Sequence, residues 1–67
     1  MQTRIEEFRR QKRLTQSDLA DALGVTRQTI ISLESGRYNA SLLLAHRIAR
    51  YFGLTIEDVF LFEGESQ

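Results

Sequence analysis

Arg27, Gln28 and Ser32 form a cluster whose side-chain types and spacing suit recognition by directed hydrogen bonds. A guanidinium presents a planar fork of donors, a carboxamide offers donor and acceptor together, and a hydroxyl can be either. Against the edges of base pairs, arginine matches guanine bidentately, glutamine matches adenine, and serine bonds to either. Wound as a helix at about 100° per residue, residues 27–35 place Ile30 and Leu33 on one side. Gln28, Ile31, Ser32 and Ser35 fall on the other, with Arg27 on the flank and Glu34 at the edge of the apolar side. A helix of about nine residues is roughly 13 Å long, close to the ~12 Å width of the DNA major groove. Ile31 on that polar side either meets a thymine methyl or is a lone exposed apolar side chain, which is common on protein surfaces.

The flanking residues are those needed to hold such a helix in place. Thr15 with Asp18 three positions on is a capping pattern for a helix that carries Leu19, Ala20 and Leu23 on one face. Gly24 closes it with a conformation open to a residue without Cβ, and Val25 plugs the turn. Thr26 caps the next helix and Gly36 ends it, so two short helices joined by a turn span about 16–35. A first helix is predicted from about Ile5 to Lys12 with Ile5 and Phe8 inward, and Gly36 to Ala40 forms a loop. Ser41 caps a fourth helix running to Phe52 before Gly53, burying Leu42, Leu44, Ala45, Ile48, Ala49 and Phe52. Thr55 caps a short fifth helix with Asp58 at its third position. Phe60-Leu61-Phe62-Glu63 either prolongs that helix or forms a short strand, and Gly64 to Gln67 reads as a frayed end.

Sixty-seven residues make one domain, of a size that buries only about 60% of its unfolded surface. The absence of cysteine excludes disulfides and thiolate metal sites, and no apolar run approaches the ~20 residues of a membrane span. A cytoplasmic protein is expected. With one histidine, no cysteine and no carboxylate cluster, nothing suggests an enzyme, a metal, a cofactor or a small-molecule ligand. His46 reads as a solvated side chain on the fourth helix. The net charge of zero conceals a polarity. Residues 1–50 hold nine bases against five acids, a balance of +4, and residues 51–67 hold four acids and no base. Such a distribution turns the helical body toward phosphates and the tail away from them.

The run Leu14-Thr15-Gln16, Leu19-Ala20, Leu23-Gly24-Val25-Thr26, Thr29-Ile30, Leu33-Glu34-Ser35-Gly36-Arg37 resembles the Cro/repressor (XRE) helix-turn-helix family. The likeness continues through Ser41-Leu42, Leu44-Ala45, Ile48-Ala49 and Thr55-Ile56-Glu57-Asp58-Val59-Phe60, covering nearly the whole chain. It implies an all-α, five-helix, lambda-repressor-like DNA-binding domain. It also implies a short two-stranded antiparallel ribbon pairing Met1–Arg4 with the C-terminal segment. Arg27, Gln28, Ser32 and Ile31 take the positions that reach base edges. Gln16, at a helix N-terminus where free N–H groups favour an anion, takes a phosphate-binding position. Thr26, Thr29, Arg37, Tyr38 and Asn39 are further phosphate candidates, although capping accounts for Thr26 and a favourable helix-end charge for Arg37. Glu34 is expected to bridge to Arg9 as a structural pair. Ala40 stands where relatives commonly carry proline, which leaves the loop before the fourth helix less rigid.

Tyr51, Leu54, Ile56, Val59, Phe60 and Phe62 are many large apolar groups for a short tail to bury alone. Some pack on the fourth helix, and the rest either close the chain's own core or meet a second copy over about 54–63. A two-fold dimer would set its recognition helices one DNA turn apart, about 34 Å. These features and the resemblance together imply a sequence-specific regulator of transcription, a repressor that binds a pseudo-palindromic operator in double-stranded DNA as a homodimer. The alternative is an antitoxin-like module that binds a partner protein as well as DNA, with Leu43 and the apolar tail as the partner surface.

Overall fold

The computed structural model describes residues 2–62. The expected ribbon residue Met1, the segment end Glu63 and the frayed end Gly64–Gln67 lie outside the described residues. The order is β1 (Gln2–Thr3), α1 (Ile5–Gln11), α2 (Gln16–Leu23), α3 (Arg27–Glu34), α4 (Leu42–Phe52), α5 (Ile56–Val59) and β2 (Phe60–Leu61). Five helices with a two-stranded antiparallel sheet is the predicted architecture, and the segment after α5 resolves as a strand.

Four helix starts are held by the residues expected to cap them. The Thr15 hydroxyl accepts from the Asp18 N–H at 3.0 Å, while the Asp18 carboxylate accepts from the Thr15 N–H at 2.9 Å. Thr55 and Asp58 repeat this reciprocal arrangement at α5. Thr26 and Ser41 cap α3 and α4 through the N–H groups of Thr29 and Leu44. Each bond satisfies one of the N–H donors that a helix N-terminus leaves without a partner. Gly24 ends α2 at φ +73°, in the left-handed region. A Cβ there would meet Arg47 Nη2 only at an ordinary 3.7 Å, so the backbone angle, not crowding, is what asks for glycine. Arg13 closes the turn after α1 at φ +58° without that freedom.

α1 begins differently, because Arg4 supplies no side-chain cap. Its start is tied to the far end of the chain: Arg4 N–H donates to the Val59 carbonyl at 2.8 Å, and Gln2 and Thr3 pair with Leu61 and Phe60. Two strands this short are marginal alone. The ribbon persists because its own Phe60 is almost fully buried in the core.

The core gathers Ile5 from α1, Leu19, Ala20 and Leu23 from α2, and Ile30 and Leu33 from α3. Leu44, Ala45, Ile48 and Ala49 of α4 and Val59 and Phe60 complete it. Two expectations are corrected. Leu42 is 79% exposed, because as the first residue of α4 it precedes the turn that packs against the core. Val59, expected among the residues facing a second copy, is 0% exposed, since the turn into β2 folds it inward, whereas Phe60, only 2% exposed, still borders a surface groove with Ile56 and Phe62. Among the described residues, no helix is long and apolar enough to cross a membrane.

The paired caps make a prediction about acid. Asp18 is held below the usual carboxylate range by the Thr15 backbone N–H first and the Thr15 hydroxyl second. Asp58 is held down in the same way by Thr55. A carboxylate with a lower pKa folded than unfolded adds stability above its unfolded value, and loses it as pH falls through the folded one. Stability should therefore drop as pH falls below the ordinary aspartate value of about 3.9. The Asp18→Asn, Asp58→Asn double variant should show a shallower decline in thermal midpoint over that interval; an unchanged slope would refute the assignment.

Candidate nucleic-acid interface

Ile30 and Leu33 set the rotation of α3, both being fully buried. With that side turned inward, Arg27 and Gln28 project from the first turn into solvent, while Ile31 and Ser32 are half-buried beside them. Ile31 is therefore not the fully exposed apolar residue that periodicity alone suggests. Thr26 and Thr29 are linked through their hydroxyls at 3.0 Å, so both side chains already serve the helix start. Ser35 bonds back to the Ser32 carbonyl.

Below this surface lies the expected structural pair. Arg9 Nε donates to Glu34 Oε2 at 2.7 Å and Arg9 Nη2 to Oε1 at 3.3 Å, with both side chains under a tenth exposed. The remaining donors find use: Arg9 Nη1 donates to the Leu14 carbonyl at 2.8 Å, and Gln16 Nε2 donates to Glu34 Oε1 at 3.1 Å. The Glu34 bond and charge raise the Arg9 pKa further, against the opposing effect of burial. One network thus joins α1, the turn before α2, the first residue of α2 and the last residue of α3. It also revises the reading of Gln16. A carboxamide carries two N–H donors, so the bond to Glu34 fixes the side chain while leaving a second donor for an outside acceptor.

The candidate residues fall into two groups, one beside α2 and α3 and one on the loop after α3. Gln16 and Arg27 line a common polar hollow with Glu6, Arg9, Arg10, Thr15 and Ser17. Arg37, Tyr38 and Asn39 lie on the exposed loop beyond the C-terminus of α3, where Gly36 at φ +80° turns the chain and Arg37 N–H donates to the Ser32 carbonyl. Sequence reasoning missed Arg10 and Ser17, because each sits one position after a residue with a recognisable role. It missed Arg47 altogether. That guanidinium reaches from α4 to donate to the Leu23 carbonyl at 2.6 Å, satisfying an acceptor at the end of α2.

The proposed dimer residues are dispersed in the same way. Ile56, Phe60 and Phe62 border an apolar groove with Asn39, Ala40, Leu42 and Ala45. Leu54 instead packs near Phe8 and Phe52, and Tyr51 borders a basic hollow with His46, Arg47 and Arg50.

The Arg9–Glu34 network generates a stability prediction. Removing one partner of a buried ion pair leaves the other charge uncompensated, at a cost of about 3–5 kcal/mol. Small domains have total stabilities of the order of 5 kcal/mol at the lower end. Glu34→Ala should accordingly leave the chain largely unfolded or sharply lower its midpoint by circular dichroism, while Glu7→Ala, which breaks an exposed pair, should change it little. Equal midpoints for the two variants would contradict this account.

The chain is similar to known helix-turn-helix proteins over nearly its whole length. An uncharacterized HTH-type transcriptional regulator of Methanothermobacter thermautotrophicus is 58% identical over 64 residues, spanning 94% of this chain and 93% of that protein. One from Archaeoglobus fulgidus is 54% identical over 65 residues, spanning 97% and 92%. The Bacillus subtilis regulator YgzD is 41% identical over 66 residues, spanning 98% and 100%. Among solved structures, the clp gene regulator ClgR from Corynebacterium glutamicum superposes with a TM-score of 0.72 at 30% identity, covering 81% of this chain and 57% of that one. Hydroxypropylphosphonic acid epoxidase from S. wedmorenis superposes equally well at 29% identity, but the shared domain is only 29% of that enzyme. Residues 5–59 match the helix-turn-helix family HTH_3, and the chain belongs to that family.

Proposed function

We propose that the chain is a sequence-specific DNA-binding regulator of transcription that acts as a homodimer and represses by occupying a pseudo-palindromic operator. The observation that carries this reading is the fixed rotation of α3. Its buried Ile30 and Leu33 leave Arg27 and Gln28 exposed, while Thr26 and the Arg9–Glu34 network hold the helix at both ends. The names of the close relatives support the same reading.

In this reading Arg27 and Gln28 read base edges, with Ser32 and Ile31 contributing from a more recessed position. Gln16 at the start of α2 and Thr26 and Thr29 at the start of α3 meet phosphates; Arg37, Tyr38 and Asn39 meet them from the loop after α3. The second copy docks through the groove bordered by Ile56 and Phe62, with the exposed Leu42 at its rim. Phe62 and Leu42, both lining that groove, are 48% and 79% exposed, so both gain burial from a partner seated there.

Selecting duplexes from a random pool tests the whole proposal, because one experiment reports base preference, symmetry and half-site spacing. Half-sites with centres about 34 Å apart are expected. Arg27→Ala and Gln28→Ala should each cost about 1–3 kcal/mol on the selected site and relax preference at one position. Uniform loss across all sequences would demote them to phosphate contacts. For assembly, Leu42→Asp with Phe62→Asp should shift sedimentation from dimer to monomer while leaving the helical content intact. A wild-type chain that stays monomeric at high concentration would remove the dimer from the proposal.

A further inference from the structure

The hollow between α1, α2 and α3 has a volume of about 360 Å³, and its composition is uneven. Arg10 and Arg27 bring two guanidiniums to it, and Gln16 and Ser17 add an amide and a hydroxyl. Arg9 also lines it, but its donors are committed to Glu34 and Leu14. Glu6 is the one carboxylate among the lining residues, and it holds Arg10 in an ion pair at 2.7 Å. Both side chains are well exposed, at 70% for Arg10 and 50% for Glu6. An exposed pair of this kind is weak, so it exchanges partners readily.

We infer that Glu6 restrains DNA binding by occupying Arg10 in the free protein, and that in the complex Arg10 and Ser17 take one backbone phosphate at this hollow, beside the base-reading Arg27. On association Arg10 moves from the Glu6 carboxylate to the phosphate, and Glu6 is left facing like charge. The inference rests on the DNA-binding reading given above, and adds to it two residues that contact the backbone, Arg10 and Ser17, and one that competes for the contact, Glu6. A phosphate carries no base identity, so the effect bears equally on every duplex. Glu6 therefore lowers affinity without touching specificity, which keeps non-specific binding weak.

The test measures affinity of the full chain for its selected duplex and for an unrelated one, across a salt series. Arg10→Gln should weaken both and reduce the slope of log affinity against log salt by about 0.9, the value for one lost phosphate contact. Glu6→Gln should tighten both by about threefold, the scale of a single like-charge interaction near a surface. Glu57→Gln makes the same change in net charge on α5, away from the hollow, and should leave affinity within about twofold by screening. In an Arg10→Gln background the gain from Glu6→Gln should be lost.

Equal tightening by Glu6→Gln and Glu57→Gln would overturn the inference, as would an unchanged salt slope for Arg10→Gln. If the wild-type chain binds duplex DNA and Arg27→Ala or Gln28→Ala relaxes base preference at one position while the Glu6 and Arg10 variants change nothing, only the phosphate seat falls. If the wild-type chain binds no duplex at all, the underlying reading falls with it. Thermal midpoints of all variants should stay close to wild type, since neither exposed side chain contributes to the core.

Discussion

The buried contact between Arg9 and Glu34 is the constraint on which the arrangement of α1, α2 and α3 depends. A charge under a tenth exposed is tolerated only where its donors and acceptors are met. Here the fork of Arg9 spans the Glu34 carboxylate and the Leu14 carbonyl, and Gln16 closes the second side of Glu34. No buried side-chain nitrogen or oxygen among the described residues lacks a partner. Apolar packing alone would hold α3 against α1 with some freedom to slide. Directed bonds at fixed length remove that freedom, so the exposed face of α3 is presented at one rotation and one height.

This coupling explains why one residue can serve both fold and site. Gln16 stands first in α2, where unpaired backbone donors accumulate, and its amide is held in place by a residue at the opposite end of α3. A contact to DNA through Gln16 would thus be preorganised by the core, with little side-chain freedom left to lose on binding. Arg10 is the opposite case. It lies next to Arg9 in sequence yet points into solvent, where its bond to Glu6 is cheap to exchange. Adjacent arginines on one helix divide the labour, one locking the scaffold and the other meeting the outside.

The C-terminal end shows a second division. Val59 and Phe60 close the core and Arg4 bonds to Val59, so the two ends of the chain fasten one another. Leu42 and Phe62 remain at the surface around a groove. A domain this small buries too little surface to be strongly stable alone, and covering that groove with a second copy would add apolar burial where the monomer most lacks it.

What the chain's linear order determined was local: helix starts at Thr15, Thr26, Ser41 and Thr55, the closing glycine at 24, and the phase that puts Ile30 inward and Gln28 outward. Those features depend on bonds within four residues or on a period of 3.6, so residue types at fixed offsets are enough to specify them. The Arg9–Glu34 pair was legible only through resemblance, because nothing local joins residues 25 apart. Tertiary structure alone decided that Arg47 would satisfy the end of α2, that Leu42 would lie outside the core, and that Val59 and Phe60 would turn inward. It also gathered Glu6, Arg10, Ser17 and Arg27 around one hollow. Each of these turns on where separate helices meet in space, a distance that no periodicity along a single helix encodes.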